Sequence, residues 1–210
     1  SIAFTNGFGT EAATCPCAEI VYVTPGDPNS GIARIETELI NGDDVDISGL
    51  DFEGTVGFDA GNTVMQFSYG GTYLTQYDVA GAISGGTYDA LGKFNTRSAD
   101  SPINLRSVPE LQLYLGLGIE IDIHSINMYV RHVGEYDVPD TITAAYQFID
   151  KIDSMNTLDF NYSVRLADDR VRINLSAYNL LGEDPPLAPS ELGYDAYSHS
   201  PVGTIIKAGL

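Results

Sequence analysis

The stretch from Leu111 to Ile123, LQLYLGLGIEIDI, alternates without a break between apolar residues and polar or small ones. Every odd position is Leu or Ile, and the even positions hold Gln, Tyr, Gly, Gly, Glu and Asp. A helix would place its apolar side chains three and four residues apart, whereas successive side chains of a strand point to opposite faces. These 13 residues therefore predict one long strand with an apolar face and a polar face.

The same alternation recurs along most of the chain. It returns in FEGTVGF (52–58), MQFSYGGTY (65–73), INMYVRH (126–132), LDFNYSVRL (158–166) and VRINLSAYN (171–179). Helical spacing is nearly absent. We therefore predict an all-β chain with seven strands, near 33–58, 63–78, 104–121, 125–136, 155–167, 170–182 and 201–210.

The connections between these strands alternate in length. Short ones at 59–63, 122–125 and 167–170 are interleaved with long ones at 79–103, 137–154 and 185–198. Outer-membrane barrels have short periplasmic turns and longer extracellular loops, and their strands need about 9–11 residues to cross the bilayer. The polar faces also hold charged residues that suit a wet or plugged lumen, namely Glu120, Arg131, Asp159, Arg165 and Arg172. The sequence thus predicts an antiparallel up-and-down transmembrane β-barrel segment.

A soluble protein is the alternative interpretation. An antiparallel sheet with one solvated side shows the same alternation, so a secreted sandwich, or a structural or adhesive surface protein such as a filament subunit, stays open. The two interpretations differ over the apolar residues of 111–119, which a soluble protein must cover with a second layer and a membrane barrel exposes to lipid. A passive porin is a third class, which would lack a plug.

Composition excludes several kinds of partner and function. The chain has 29 acidic and 10 basic residues, a formal charge of -19, and nucleic acid or anionic headgroups would need a basic face. No run approaches the roughly 18 apolar residues of a membrane-spanning helix. The first residues, SIAFTNGFGTEAATCPC, lack the basic and apolar regions of a signal peptide. We expect one sizeable domain, no nucleic-acid partner and no helical membrane anchor.

Residues 1–30 are predicted to form an extracellular loop region, with one irregular strand around EIVYV, and residues 31–210 the barrel strands. Cys15 and Cys17 lie in this loop region. A bridge between residues two apart strains disulfide geometry, and two thiols are too few for a tetrahedral zinc site. Both cysteines are interpreted as loop residues that are reduced or paired elsewhere, with a redox or metal role as the alternative.

Catalytic and metal sites have little support in the sequence. His124, His132 and His199 are scattered over a turn, a strand and a loop, and no nucleophile, base and acid stand together. The acidic segment NGDDVDISG (41–49) lacks the distal Glu of a calcium loop. It is interpreted as a solvated acidic rim, with a bound divalent cation as the alternative. We predict no enzyme activity, no cofactor and no metal site.

The end of the chain resembles the C-terminal end of the TonB-dependent receptor family. The resemblance rests on INLSAYNLLGEDPPLAP followed by GYDAYSHSPVGTIIKAGL, and upstream on IETELINGDDVDISGLDFEGTVGFD and GGTYLTQYDV, so that it spans roughly 31–210. The chain departs from the family in two ways. The residue directly after the Gly in VGTIIKAGL is not basic, and no terminal aromatic follows Leu210. Nothing resembles the N-terminal plug or the TonB-contacting box.

The resemblance implies a fold and a function. It implies the C-terminal part, about 7 or 8 strands, of a roughly 22-stranded transporter barrel in the outer membrane of a Gram-negative bacterium. Its partners would be outer-membrane lipid, the rest of the receptor with its plug, an inner-membrane energy-transducing complex, and a small-molecule ligand. Members transport scarce nutrients such as chelated metals, cobalamin, oligosaccharides or peptides, among which the sequence does not choose.

The break after YNLLGEDPP (178–186) is interpreted as the extracellular rim. Pro185 and Pro186 cannot donate ladder hydrogen bonds and are predicted to end the strand, while Glu183 and Asp184 lie in water. Aromatic and charged residues of the rim loops are then the candidates for contact with a ligand. The predicted ligand-binding residues are Tyr77, Asp78, Tyr88, Asp89, Arg97, Tyr136, Asp137, Tyr194 and Tyr197.

Overall fold

The structure, a computed structural model, describes residues 18–24, 27–37, 44–80, 86–94, 106–139, 149–168 and 170–210. In these ranges the chain is all-β, as predicted, with a 3₁₀ turn at Pro28–Ser30 and no α-helix. No described helix is long and apolar enough to span a membrane. Cys15, Cys17, Arg97 and the first three residues of the acidic segment 41–49 lie outside the described residues.

Twelve strands are described, and we number them in chain order. Their bounds are β1 Ala18–Tyr22, β2 Ile32–Thr37, β3 Val45–Ala60, β4 Thr63–Ala80, β5 Thr87–Asp89, β6 Leu111–Ile121, β7 His124–Val133, β8 Tyr136–Asp137, β9 Lys151–Ile152, β10 Met155–Leu166, β11 Val171–Tyr178 and β12 Ile205–Gly209.

The chain divides into two compact units, one of residues 1–44 and 80–87 and the other of residues 45–79 and 88–210. In the first unit β1 pairs antiparallel with β2, from Ala18 opposite Thr37 to Tyr22 opposite Ile32. The single strand predicted at 33–58 is therefore wrong, since β2 and β3 pair with different strands. The intervening sequence ELINGDD (38–44) breaks the alternation at Leu39 and Ile40.

The second unit is built on one antiparallel sheet with the strand order β12-β11-β10-β7-β6-β4-β3, to which the short β5 adds beside β4. Each long strand pairs with the next long strand along the chain, as in an up-and-down meander. The short strands β8 and β9 form a separate pair. In the described residues β3 and β12 are the two edges of this sheet, so that the sheet is open and no closed barrel is seen.

The predicted alternation of tight and long connections is confirmed. Tight turns join β3 to β4, β6 to β7 and β10 to β11, through residues 61–62, 122–123 and 167–170. All three lie at one end of the antiparallel sheet, which we call the turn end. The long connections 81–110, 134–154 and 179–204 all start and finish at the opposite end, which we call the loop end.

Left-handed backbone marks the turn end. Gly61, Asp122, Ala167 and Asp168 have φ angles of 68°, 52°, 52° and 52°, in the region that tight hairpin turns require. Gly and Asp tolerate this conformation, whereas Ala pays a steric cost there. The Asn62 side chain also donates a hydrogen bond to Asp122 Oδ1 at 3.0 Å, which ties two neighbouring turns together.

The register places the apolar residues of seven strands on one face. Opposed pairs run across the sheet from Val56 and Phe67 to Leu117 and Met128. We call this the apolar face, and its central members are Val56, Phe58, Met65, Phe67, Leu115, Leu117, Met128, Val130, Leu158, Phe160, Ile173, Leu175 and Ile206. The alternation in each strand and the pairing between strands thus agree over the whole sheet.

The opposite, polar face has polar, charged and glycine residues at matching positions. Across the sheet it holds Glu53, Asp59, Gln66, Ser68, Gln112, Tyr114, Glu120, Asn127, Tyr129, Arg131, Asp159, Asn161, Ser176 and Lys207. Two glycines leave room for neighbouring side chains and backbone. A Cβ on Gly70 would lie 2.6 Å from the ring of Tyr114, and one on Gly71, a position of the apolar face, would lie 2.6 Å from the carbonyl oxygen of Gln112.

The cluster of buried apolar side chains in this unit lies beyond the sheet. Phe94, Tyr136, Val138, Ile152 and Ala188 form a cluster at the loop end, and each is at most 4% exposed. In the centre of the apolar face, by contrast, Leu115, Phe67 and Val130 are 47%, 40% and 37% exposed. No described segment of the unit therefore covers the middle of the apolar face.

Candidate functional site

The predicted ligand residues that are described all lie at the loop end. Tyr77 and Asp78 are near the end of β4, Tyr88 and Asp89 are in β5, Tyr136 and Asp137 form β8, and Tyr194 and Tyr197 lie in the connection from β11 to β12. Arg97 lies outside the described residues. The topology thus gathers four sequence segments at one end of the sheet, but their side chains differ in what they contact.

Tyr136 is buried rather than presented to solvent. Its side chain belongs to the loop-end cluster, is 2% exposed, and donates a hydrogen bond through its hydroxyl to Asp195 Oδ2 at 2.7 Å. Burial and this carboxylate raise the pKa of Tyr136 far above its usual value. In this conformation Tyr136 anchors the connection 179–204 to β8.

His199 stacks on Tyr136, with ring centroids 5.9 Å apart and planes 6° from parallel. It is 6% exposed, and neither ring nitrogen has a hydrogen-bond partner among the described residues. Burial lowers the pKa of His199, although the carboxylate of Asp195 acts in the opposite direction. A buried imidazole without partners costs about 1–3 kcal/mol for each unsatisfied group, so the packing around it must compensate.

Asp89 and Lys93 form a local pair beside β5. Lys93 Nζ lies 3.0 Å from Asp89 Oδ2 and 5.7 Å from the centroid of the Tyr88 ring. Partial burial would raise the pKa of Asp89, but hydrogen bonds from Lys93 and the backbone N–H of Leu91 outweigh it and leave the pKa below its ordinary value. Asp89 therefore stays ionised and holds the turn after β5.

The remaining predicted residues are more open. Tyr197 is 70% exposed, with the Arg106 guanidinium 5.6 Å from its ring centroid. Asp78 accepts a hydrogen bond from Gln76 at 2.8 Å. Asp137 is exposed, and its backbone pairs with that of Lys93. Tyr194 is half-buried and pairs through its backbone with Leu187.

An ion pair on the polar face connects three strands near the loop end. Arg131 on β7 donates from Nη1 to Asp159 Oδ2 on β10 at 2.6 Å, and the other carboxylate oxygen accepts the backbone N–H of Asn179, after β11, at 3.0 Å. The Asp159 side chain is 10% exposed and that of Arg131 is 58% exposed. Because the arginine is largely exposed, solvent screens the pair, and the buried carboxylate depends on both donors.

Asn179 ends β11 and shapes the chain that follows. Its φ is 47°, in the left-handed region that Asn tolerates better than most residues. Its side chain accepts the N–H of Glu183 at 3.0 Å and donates to the carbonyls of Glu183 and Val202 at 2.8 and 3.3 Å. The hydroxyl of Thr204 donates to the Asn179 carbonyl at 2.8 Å. The segment NLLGE is therefore a turn closed by one asparagine.

The prediction that the two prolines end the strand is wrong. β11 ends at Tyr178, well before Pro185 and Pro186, so Asn179 and not the double proline stops the pairing. The predicted strand end at 182 is four residues too late, because the left-handed backbone of Asn179 ends the strand at Tyr178. Glu183 and Asp184 are exposed, as predicted.

A cleft of about 470 Å³ lies on the polar face beside this turn. Its lining includes Arg131 and Asp159, the ring of Tyr178, the loop residues His199 and Val202, and Lys207 of β12. Two further clefts, of about 740 and 390 Å³, adjoin the same arginine. Arg131 thus lines each of these three clefts.

None of the residues that line this cleft was among the predicted ligand residues. Alternation assigned Arg131 and Asp159 to polar faces, but β7 and β10 are joined by the long connection 134–154, and a long loop does not fix the register of the strands it joins. His199 and Lys207 are even farther from β7 in the sequence. Only the register, with Asp159 opposite Tyr129 and Lys207 opposite Ser176, brings these side chains together.

No group of three or more His, Cys, Asp or Glu residues that could hold a metal ion occurs in the described ranges. Of the acidic segment 41–49, the described residues begin at Asp44.

Comparison with known proteins does not identify a family. No family model matches this chain, and neither the curated proteins nor the solved structures contain a match.

Proposed function

We propose that this chain is the C-terminal part of the barrel of a TonB-dependent receptor in the outer membrane of a Gram-negative bacterium. The receptor would capture a scarce nutrient, such as a chelated metal, cobalamin or an oligosaccharide, and pass it through the lumen. Energy would come from an inner-membrane complex that contacts other parts of the receptor. The plug and the remaining strands of the barrel would complete the pore.

The observation that carries the proposal is the two-faced sheet. Seven paired strands expose one continuous apolar face on one side and a polar face with charged residues on the other. A soluble monomer rarely exposes apolar patches of more than a few hundred Å², whereas lipid solvates such a face and water solvates the other. Strand lengths support this, because β3, β4, β6 and β10 have 16, 18, 11 and 12 residues and about 9–11 residues cross a bilayer.

The segregation of the connections supports the same proposal. Tight turns at one end and long connections at the other are the arrangement of periplasmic turns and extracellular loops. The loop end would then face the medium, and the Arg131 cleft would lie on the lumenal side close to it. The transporter role itself rests on the resemblance of 31–210 to the family.

Fractionation of cells that make the natural protein tests this proposal. We expect it in the outer membrane, extractable only with detergent, and migrating faster in electrophoresis before boiling than after boiling. Nutrient uptake that stops when the inner-membrane proton gradient is collapsed would support energy coupling. A protein that remains in the soluble fraction without detergent would contradict the membrane assignment and favour the secreted structural or adhesive protein.

A further inference from the structure

The cleft beside Asn179 presents two cations. Arg131 uses one guanidinium N–H for Asp159, and 58% of its side chain is exposed. A guanidinium has five N–H donors, so that donors remain for a further acceptor. Lys207 also lines the cleft, is exposed, and has no carboxylate partner among the described residues.

Arg131 on β7 and Lys207 on β12 both line this cleft, and β10 and β11 lie between their two strands. The Lys207 ammonium is 5.0 Å from the centroid of the Tyr178 ring. Ala177 pairs with Phe160, so the residues next to them, Tyr178 and Asp159, are neighbours on the polar face. Since Asp159 holds Arg131, the guanidinium and the ammonium approach the cleft from opposite sides of this pair of residues.

The charge of the cleft is positive, in contrast to the chain as a whole. Among the described residues, Asp159 is the only carboxylate that lines it, and both of its oxygens already accept hydrogen bonds from Arg131 and from the Asn179 backbone. One positive charge is therefore left over in a chain whose formal charge is -19. An anionic ligand would restore the local balance.

The rest of the lining is largely apolar. Val133, Met155, Val202 and Ile205 line the cleft, and the last two are 49% and 38% exposed. A volume of about 470 Å³ is within the range of small-molecule sites. A simple inorganic anion would leave these apolar side chains unused, whereas an anion with a hydrocarbon body would cover them.

We propose that this cleft binds a small organic carboxylate, with the carboxylate between Arg131 and Lys207 and the hydrocarbon body against Val202 and Ile205. Charge-assisted hydrogen bonds to both cations fix the anionic group, and burial of the apolar body adds affinity. This inference goes beyond the proposed function, because the cleft binds such an anion whether or not the protein transports it.

Calorimetric titration of the purified full-length protein with sodium hexanoate tests the inference. We expect saturable binding, and we expect the neutral analogue hexanamide to bind at least about tenfold more weakly, the usual effect of losing one charged hydrogen bond. Lys207→Gln should weaken hexanoate binding by a similar factor, and Lys207→Arg should restore most of it. Inorganic phosphate should bind more weakly than hexanoate.

Lys151→Gln is the matched control. Lys151 is an exposed lysine at the same end of the sheet, does not line the cleft, and pairs with Glu135, so its replacement should leave hexanoate affinity unchanged. Equal binding of hexanoate and hexanamide, or an equal loss in both glutamine variants, would overturn the inference. The absence of hexanoate binding at concentrations up to about 10 mM would also overturn it, because most specific sites bind their ligands more tightly than this. None of these results depends on membrane location or uptake, which test the proposed function separately.

Discussion

Asn179 illustrates how much of the loop end depends on single residues. It combines a left-handed backbone with three side-chain hydrogen bonds, and its own N–H satisfies the buried Asp159. The sequence predicts the end of a strand in this region but assigns it to the prolines. The reversal depends on a residue type that accepts positive φ and can also bond to the backbone on both sides of the turn.

Replacing Asn179 by Ala or by Gly separates the effect of its side-chain hydrogen bonds from the effect of its left-handed backbone. Asn179→Ala loses the side-chain bonds and places Ala at positive φ, and we expect the free energy of unfolding to fall by about 2–4 kcal/mol. Asn179→Gly keeps the backbone freedom and should lose about 1 kcal/mol less. Urea unfolding of the purified variants measures both. Equal losses would mean that backbone strain plays no part.

His199 predicts a dependence of stability on pH. Its pKa in the folded protein is below the ordinary value of 6.5, so the unfolded chain takes up a proton at a higher pH than the folded one. The contribution of His199 to the free energy of unfolding is therefore fully present above about pH 6.5 and is lost as the pH decreases toward the folded pKa.

The variant His199→Phe keeps an aromatic ring on Tyr136 and removes the titrating group. We expect its stability to exceed that of the natural protein, by a margin that is constant above about pH 7 and grows as the pH falls below about 6.5. Unfolding midpoints at pH 8, 6 and 5 measure this margin. Since the other titrating groups are common to both proteins, a margin that does not change with pH would contradict the assignment.

At the scale of elements, the strands of the sheet were predictable because alternation is a local property. The predicted strands 63–78, 125–136 and 155–167 correspond to β4, β7 and β10 within a few residues at each end. The strand predicted at 33–58 is wrong because it joins two alternating segments, β2 and β3, across a stretch whose sequence does not alternate. The strand predicted at 104–121 begins too early, since β6 starts at Leu111 and the described residues 106–110 belong to the loop end.

Strand pairing also explains which glycines are needed. Gly71 on β4 faces the backbone of β6, where a Cβ would meet the Gln112 carbonyl at 2.6 Å, while Gly57 on β3 has no contact closer than 3.9 Å. We expect Gly71→Ala to lower the free energy of unfolding by about 1–3 kcal/mol. Gly57→Ala, the control, should be neutral or slightly stabilising, because Ala loses less backbone entropy. Comparison of urea midpoints checks both, and equal effects would show that β4 and β6 are not so closely paired.

At the scale of the whole molecule, the two faces of the sheet predict different surroundings. Leu117 and Asn127 lie on neighbouring strands, on the apolar and polar faces respectively. We expect a spin label at Leu117→Cys in the vesicle-reconstituted protein to be reached by oxygen better than by a water-soluble nickel complex, because oxygen partitions into hydrocarbon. A label at Asn127→Cys should show the reverse. Cys15 and Cys17 are replaced by Ser in both proteins so that only one thiol is labelled.

Equal access of the nickel complex to both labels would contradict the lipid-facing assignment. Protection of Leu117 from both reagents would indicate a second protein layer over the apolar face, as in the soluble alternative. The measurement therefore distinguishes the membrane wall from a sandwich or filament subunit without requiring knowledge of the ligand.

The sequence by itself determined the all-β class, the two faces of each strand and the segregation of tight and long connections. These follow from side-chain alternation and from the spacing between alternating runs, both of which are local along the chain. The tertiary structure alone decided the register across 134–154 and 179–204, and with it the meeting of Arg131, Asp159 and Lys207. A long connection leaves many registers open, and only the packing of complete strands against one another selects among them.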